Sequence, residues 1–206
     1  DSGKTKFIQE TLEDPRFNAG ERTLVLIFEE GEEEYDLSTY PKKNVYLEVL
    51  DQQTVTTEEL KALQKKYKAE RVVAELNGMQ QVGDLYMRFP DNWAIAQEVM
   101  FADATTFMTY NANMRNLVMD KLMGAQMVVF NRMTPGQDVM PFHKLARAAN
   151  RRIDILYDYT DGTTKFDEIE DPLPFDINAP VIEVKDEDYA LWYRDVSEEP
   201  EKYDGK

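Results

Sequence analysis

Two rhythms of hydrophobic positions alternate along the chain. Short, nearly continuous apolar runs at TLVLIF (23–28), NVYLEVL (44–50), RVVAEL (71–76), EVMFADA (98–104), QMVVFN (126–131) and IDILY (153–157) have the length of buried strands. Between them, apolar residues fall at helical spacing. Phe7, Ile8, Thr11 and Leu12 form a stripe over 4–13 that Pro15 stops. Thr56 and Glu59 make a capping box, stapled by Val55 and Leu60, for a helix over 57–69. Asn113 is placed to cap a helix bearing Met114, Leu117, Val118 and Leu122, which Gly124 ends; Phe142, Leu145, Ala146 and Ala149 mark one more. This alternation predicts an α/β fold: a mostly parallel sheet with helices on both faces.

Beyond residue 160 the pattern dissolves. Acidic residues and Pro172, Pro174 and Pro180 dominate, with one strand candidate at PVIEV and an aromatic YALWY. Residues 1–160 are therefore read as one domain. Residues 161–206 are read as an acidic, proline-containing extension or the lead into a further domain.

Composition narrows the classes. A chain of 206 residues is long enough for one well-filled α/β core. The absence of cysteine excludes disulfides, thiolate metal sites and cysteine nucleophiles within it. A formal charge of -16 argues against a nucleic-acid surface, which needs a basic patch. No apolar run approaches the roughly 20 residues of a membrane span, so no membrane insertion and a cytoplasmic location are expected. A polyphosphate would have to be held locally, by amides, a lysine and a metal ion.

That requirement gives meaning to the opening residues. Asp1, Ser2, Gly3, Lys4 and Thr5 match the close of G-x-x-x-x-G-K-[ST], the loop whose amides and lysine hold phosphates and whose hydroxyl binds Mg²⁺. In such a fold an apolar strand feeds the loop. That first strand is missing from the chain, and about ten residues ahead of Asp1 are expected to supply it with the first glycine. Further landmarks follow in order: IFEEGEEEYD after the first strand, VVAELNG closing another, VVFNRMT closing a third.

This ordered set resembles the CobW-like family of P-loop GTPases over roughly residues 1–160. The family carries G-x-L-x-x-G-K-T-T, N-E-F-G-x-x-x-x-D, E-x-x-G and N-K-x-D. The resemblance implies that Asp1 to Thr5 cradle phosphate, with Lys4 on the terminal phosphates and Thr5 on Mg²⁺. Glu29, Gly31 and Asp36 match the second segment, a switch, in which Phe28 and Glu30 replace the asparagine and the aromatic. Glu75 and Gly78 match E-x-x-G, and the implied Mg²⁺ ligands are Thr5, Glu29, Asp36 and Glu75. Lys4, Glu75 and Gly78 are the implied catalytic residues. Asn131, Arg132 and Thr134 fall on the guanine-reading motif, with Thr134 where the family has aspartate.

The implied function is Mg²⁺-dependent binding and slow hydrolysis of GTP or another nucleoside triphosphate, a switch in metal or cofactor handling with a protein client or activator. The alternative is an interaction module that keeps the fold without hydrolysis. The family's C-x-C-C is absent from the interval YPKKNVYLEVLDQQTVTTEEL. Outside the motifs, His143 reads as structural, and Met114, Met119, Met123 and Met127 as core filling.

Overall fold

The computed structural model describes residues 3–29, 35–40, 43–171 and 183–203. The chain forms two compact units, residues 1–167 and 168–206. The first unit extends past residue 160 because β6 (Asp154–Tyr159) turns back into β7 (Thr164–Phe166), which pairs with it antiparallel.

Helix α1 (Lys4–Glu13) comes first, then β1 (Thr23–Ile27), a 3₁₀ turn (Leu37–Thr39) and β2 (Val45–Val49). Next come α2 (Thr57–Tyr67), β3 (Arg71–Glu75) and the short α3 (Gly83–Tyr86). The second half adds β4 (Val99–Asp103), α4 (Phe107–Asn113), α5 (Arg115–Gly124), β5 (Met127–Met133) and α6 (Met140–Ala149) before β6. The six strands expected from the sequence all form and all run parallel to their partners; the added β7 is the antiparallel one.

Strand β1 shows why the layers stack as they do. All five of its residues are buried. Because successive side chains point to opposite faces, Leu24 and Leu26 pack with Val55 and Leu60 around α2, while Val25 and Ile27 pack with Leu12 of α1. A strand covered on both faces needs to be apolar throughout. In the second half, Phe107, Phe130 and Phe142 interlock with ring centroids 4.9 to 6.1 Å apart, tying β5 to α4 and α6.

Two helix readings need correction. Asn113 is the last residue of α4 rather than a cap; its side chain donates to the Thr109 carbonyl, and Met114 stands at the start of α5. Of the four methionines none is fully buried, and Met123 is 59% exposed, because the inward face of α5 is carried by Val118 and Leu122.

The sheet is interrupted at its centre. Strands pair in the order β2-β1-β3 and, separately, β4-β5-β6-β7, so among the described residues β3 and β4 each have one edge without a strand. The gap between them is a cavity of about 1300 Å³ walled by Val73, Ala74, Met100 and Phe101 and covered by Phe7 and Ile8 of α1. That far exceeds a packing void. Helix α1 bridges it: the Phe7 ring lies 4.9 Å from Phe101 of β4, and Leu12 belongs to the core beneath β1.

In the second unit, α7 (Tyr189–Glu198) and a 3₁₀ turn (Pro200–Tyr203) fold on each other, with Lys202 paired to Asp195 at 2.8 Å. The YALWY stretch is thus helical. In the strand candidate PVIEV, residues 180–182 lie outside the described residues.

Candidate functional site

The site collects at the C-terminal ends of β1, β3 and β5, around the first turn of α1. Gly3 takes a left-handed conformation, φ 79°, directly ahead of α1. A Cβ there would also lie 3.0 Å from Nδ2 of Asn131, whose side chain would have to shift, so it is the backbone shape that calls for glycine. The opening motif and the NRMT motif therefore touch.

Thr5 and Glu75 form the buried floor. The Thr5 hydroxyl donates to Glu75 Oε1 at 2.8 Å, and the Tyr35 hydroxyl donates to Glu75 Oε2 at 2.6 Å. Burial, then the Glu75 contact, push the Tyr35 hydroxyl far above its ordinary pKa, so it stays a donor. The register of β3 against β1 explains the placement of Glu75: it pairs with Ile27 at the last rung, where the strand meets the helix start.

A second pair lies beside the first. Lys4 Nζ donates to Glu29 Oε2 at 2.8 Å, and the Gly78 backbone N–H donates to the same oxygen at 3.1 Å. Burial raises the pKa of the Glu29 carboxyl, but Lys4 and the Gly78 amide outweigh it and hold it below its ordinary value. Lys121 of α5 reaches over from the other half of the molecule, donating to the Asn77 carbonyl at 3.2 Å. Burial and the Lys4 charge lower its pKa, against Asp120, Glu29 and Glu98. A helix start, two lysines and a glycine amide together make a pole for anions.

A likeness in chain arrangement adds to the picture. The crystal structure of the hydrogenase maturation factor HypB from Archaeoglobus fulgidus matches this chain with a TM-score of 0.52, over 78% of this chain and 77% of that one, at 16% identity. The fold is that of a P-loop nucleoside triphosphatase. No protein-family model matches the sequence, and no curated protein does. No described helix is long and apolar enough to cross a membrane.

The structure brings together Gly3, Lys4, Thr5, Glu29, Glu75, Gly78 and Asn131. Asp1, Ser2, Glu30 and Gly31 lie outside the described residues. Of the four metal-ligand candidates, Thr5 and Glu75 meet; Glu29 is engaged with Lys4, and Asp36 caps its own 3₁₀ turn through the Ser38 amide at 2.9 Å and hydroxyl at 2.6 Å. Among the described residues no three Asp, Glu or His side chains form a metal cage.

In the NRMT stretch, Arg132 adopts a positive φ of 56° and its guanidinium pairs with Asp103. Thr134 is exposed, its amide bonded to Gln137 Oε1 at 3.0 Å. Tyr35, Asp103 and Lys121 escaped the sequence reading. Asp103 alone left a trace, a carboxylate closing the apolar run VMFAD.

Proposed function

We propose that this chain is a CobW-like P-loop GTPase that binds Mg²⁺ and a nucleoside triphosphate and hydrolyses it slowly. The observation that carries this reading is the convergence of Thr5 with Glu75, and of Lys4 with the Gly78 amide, at the start of α1. The residues present fit the absent ligands. A hydroxyl and a carboxylate already within 2.8 Å of each other are a hard oxygen pair suited to Mg²⁺. Lys4 and the Gly78 amide already meet at a single anionic oxygen, as they would at a phosphate. Mg²⁺, when bound, supplies charge neutralisation to the phosphates. Lys4 and Gly78 would orient the terminal phosphoryl group, and Thr5 and Glu75 would hold the cation.

GTP is the favoured nucleotide. Asn131 stands next to the phosphate loop, where the start of a guanine-reading motif belongs. Thr134 offers one hydroxyl where guanine presents two donors, so the preference is relaxed. A switch role in the handling of a metal or cofactor, with a protein client or activator, is the cellular reading consistent with this slow chemistry. The likeness to a maturation factor supports it at the level of fold.

The decisive experiment is GTP binding with and without Mg²⁺ to wild type and Glu75→Gln. The substitution is expected to reduce the Mg²⁺ enhancement roughly 10- to 100-fold with the fold intact by circular dichroism. Unchanged Mg²⁺ dependence would reject Glu75 as a ligand holder. Binding without phosphate release would favour the non-hydrolysing module.

A further inference from the structure

Glu29 is placed as a competitor rather than as a helper. We propose that its carboxylate is a built-in stand-in for the terminal phosphate, and that displacing it penalises the binding of nucleoside triphosphates but not of diphosphates, narrowing the site's preference for the triphosphate. The inference rests on the nucleotide-binding reading above and adds a specificity-determining residue to it.

One oxygen, Glu29 Oε2, accepts from both Lys4 Nζ at 2.8 Å and the Gly78 amide at 3.1 Å. These are the two donors assigned to the terminal phosphoryl group. The Lys4 ammonium disfavours the charge on Lys121, and the Glu29 carboxylate favours it. An empty pole would leave these cations partly desolvated and uncompensated, which is costly. Glu29 relieves that cost in the absence of ligand.

The consequence is a threshold. A terminal phosphate carries more charge and more acceptor oxygens than one carboxylate, so it can take both donors from Glu29. A diphosphate ends short of this position and leaves the Glu29 contacts in place. The free energy of breaking them is then subtracted from triphosphate binding alone.

Glu29 and Tyr35 both bond to the same machinery. Glu29 holds Lys4 and Gly78, and Tyr35 holds Glu75 at 2.6 Å. This differs from a metal-ligand role, in which Glu29 would turn to the Thr5 and Glu75 pair.

The test compares equilibrium binding of fluorescent GTP and GDP, with Mg²⁺, to wild type, Glu29→Gln and Glu29→Ala, each checked for folding by thermal unfolding. Both variants are expected to tighten GTP binding roughly tenfold while leaving GDP binding within about twofold. An unchanged GTP to GDP ratio overturns the proposal while leaving nucleotide binding intact. Weakened GTP binding overturns it in favour of Glu29 as a metal ligand. If no protein binds either nucleotide, this proposal and the functional reading fall together. If Glu29→Ala alone folds, its ratio decides.

Discussion

Single residues in this molecule are often held by more than one partner, and the number of partners sets the cost of changing them. Asp167 is the clearest case. Its side chain is 1% exposed and accepts from Tyr157 at 3.0 Å, lies 2.8 Å from His143 Nδ1, and pairs with Arg147 at 3.5 Å. Asp167→Ala removes a buried carboxylate and strands its donors, so a loss of about 3–5 kcal/mol in urea unfolding is expected. A loss below 1 kcal/mol would mean that the cluster is not held as described. Glu29 behaves differently because its carboxyl is held below its ordinary value of 4.5, chiefly by Lys4 and the Gly78 amide against burial. A depressed carboxyl contributes stability that is present above its unfolded pKa and is lost as pH falls through its folded one. Wild type should therefore be more stable than Glu29→Gln at pH 7, and the gap should close below about pH 4.5. Urea midpoints of the two proteins between pH 7 and 3 check both the sign and the window. The third residue-level expectation concerns the base. An aspartate at position 134 meets two guanine donors where one hydroxyl cannot, so Thr134→Asp should tighten GTP by roughly 5- to 150-fold and leave ATP unchanged or weaker. Competition titrations measure it directly.

Elements were legible where local chemistry and tertiary packing agreed. Helix α2 has its Thr56 cap accepting from the Glu59 amide at 3.2 Å, and its Val55 and Leu60 staple in the core, as its sequence spelled out. Thr56→Ala should cost about 1 kcal/mol by the lost cap, measured by thermal or urea unfolding. The failures have different causes. Helix α3 and strand β7 are too short for periodicity to register, at 4 and 3 residues. Asn113 looked like a cap because its residue type suits one, yet its side chain bonds back to Thr109 and α4 continues through it. The same division holds for the site. Gly3, Lys4, Thr5, Glu75 and Gly78 could be named because they follow a motif order imposed by strand ends. Tyr35 and Lys121 could not, since each reaches the site through packing between elements far apart in sequence. Glu29 was named among the metal ligands, and its hydrogen-bond partners are Lys4 and the Gly78 amide: its position follows from the strand, its partner from where α1 puts Lys4.

At the scale of the whole molecule, the interrupted sheet is the feature with the largest unmet demand. Backbone groups along the open edges of β3 and β4 have no strand partner among the described residues, while Val73, Ala74, Met100 and Phe101 turn toward a cavity of about 1300 Å³. Unpaired edges beside apolar walls are a template for one more strand. The start of α1 covers this gap, so an engineered apolar extension of the N-terminus has an opening to enter. Such a segment would pair with both edges and bury apolar side chains at roughly 1.5–3 kcal/mol each, offset by about 1–2 kcal/mol per residue of backbone ordering. Pairing on two edges leaves the balance favourable by a few kcal/mol, roughly 5–10 °C in the unfolding midpoint of a domain this size. A version carrying about ten such residues should therefore melt higher than the 206-residue chain. Hydrogen exchange should localise the gain, with the amides of β3 and β4 slowing toward those of the covered strand β1 while β7 stays unchanged. If the extension leaves both the midpoint and the exchange of β3 and β4 where they were, the gap is not a strand site, and the sheet is held together by α1 alone.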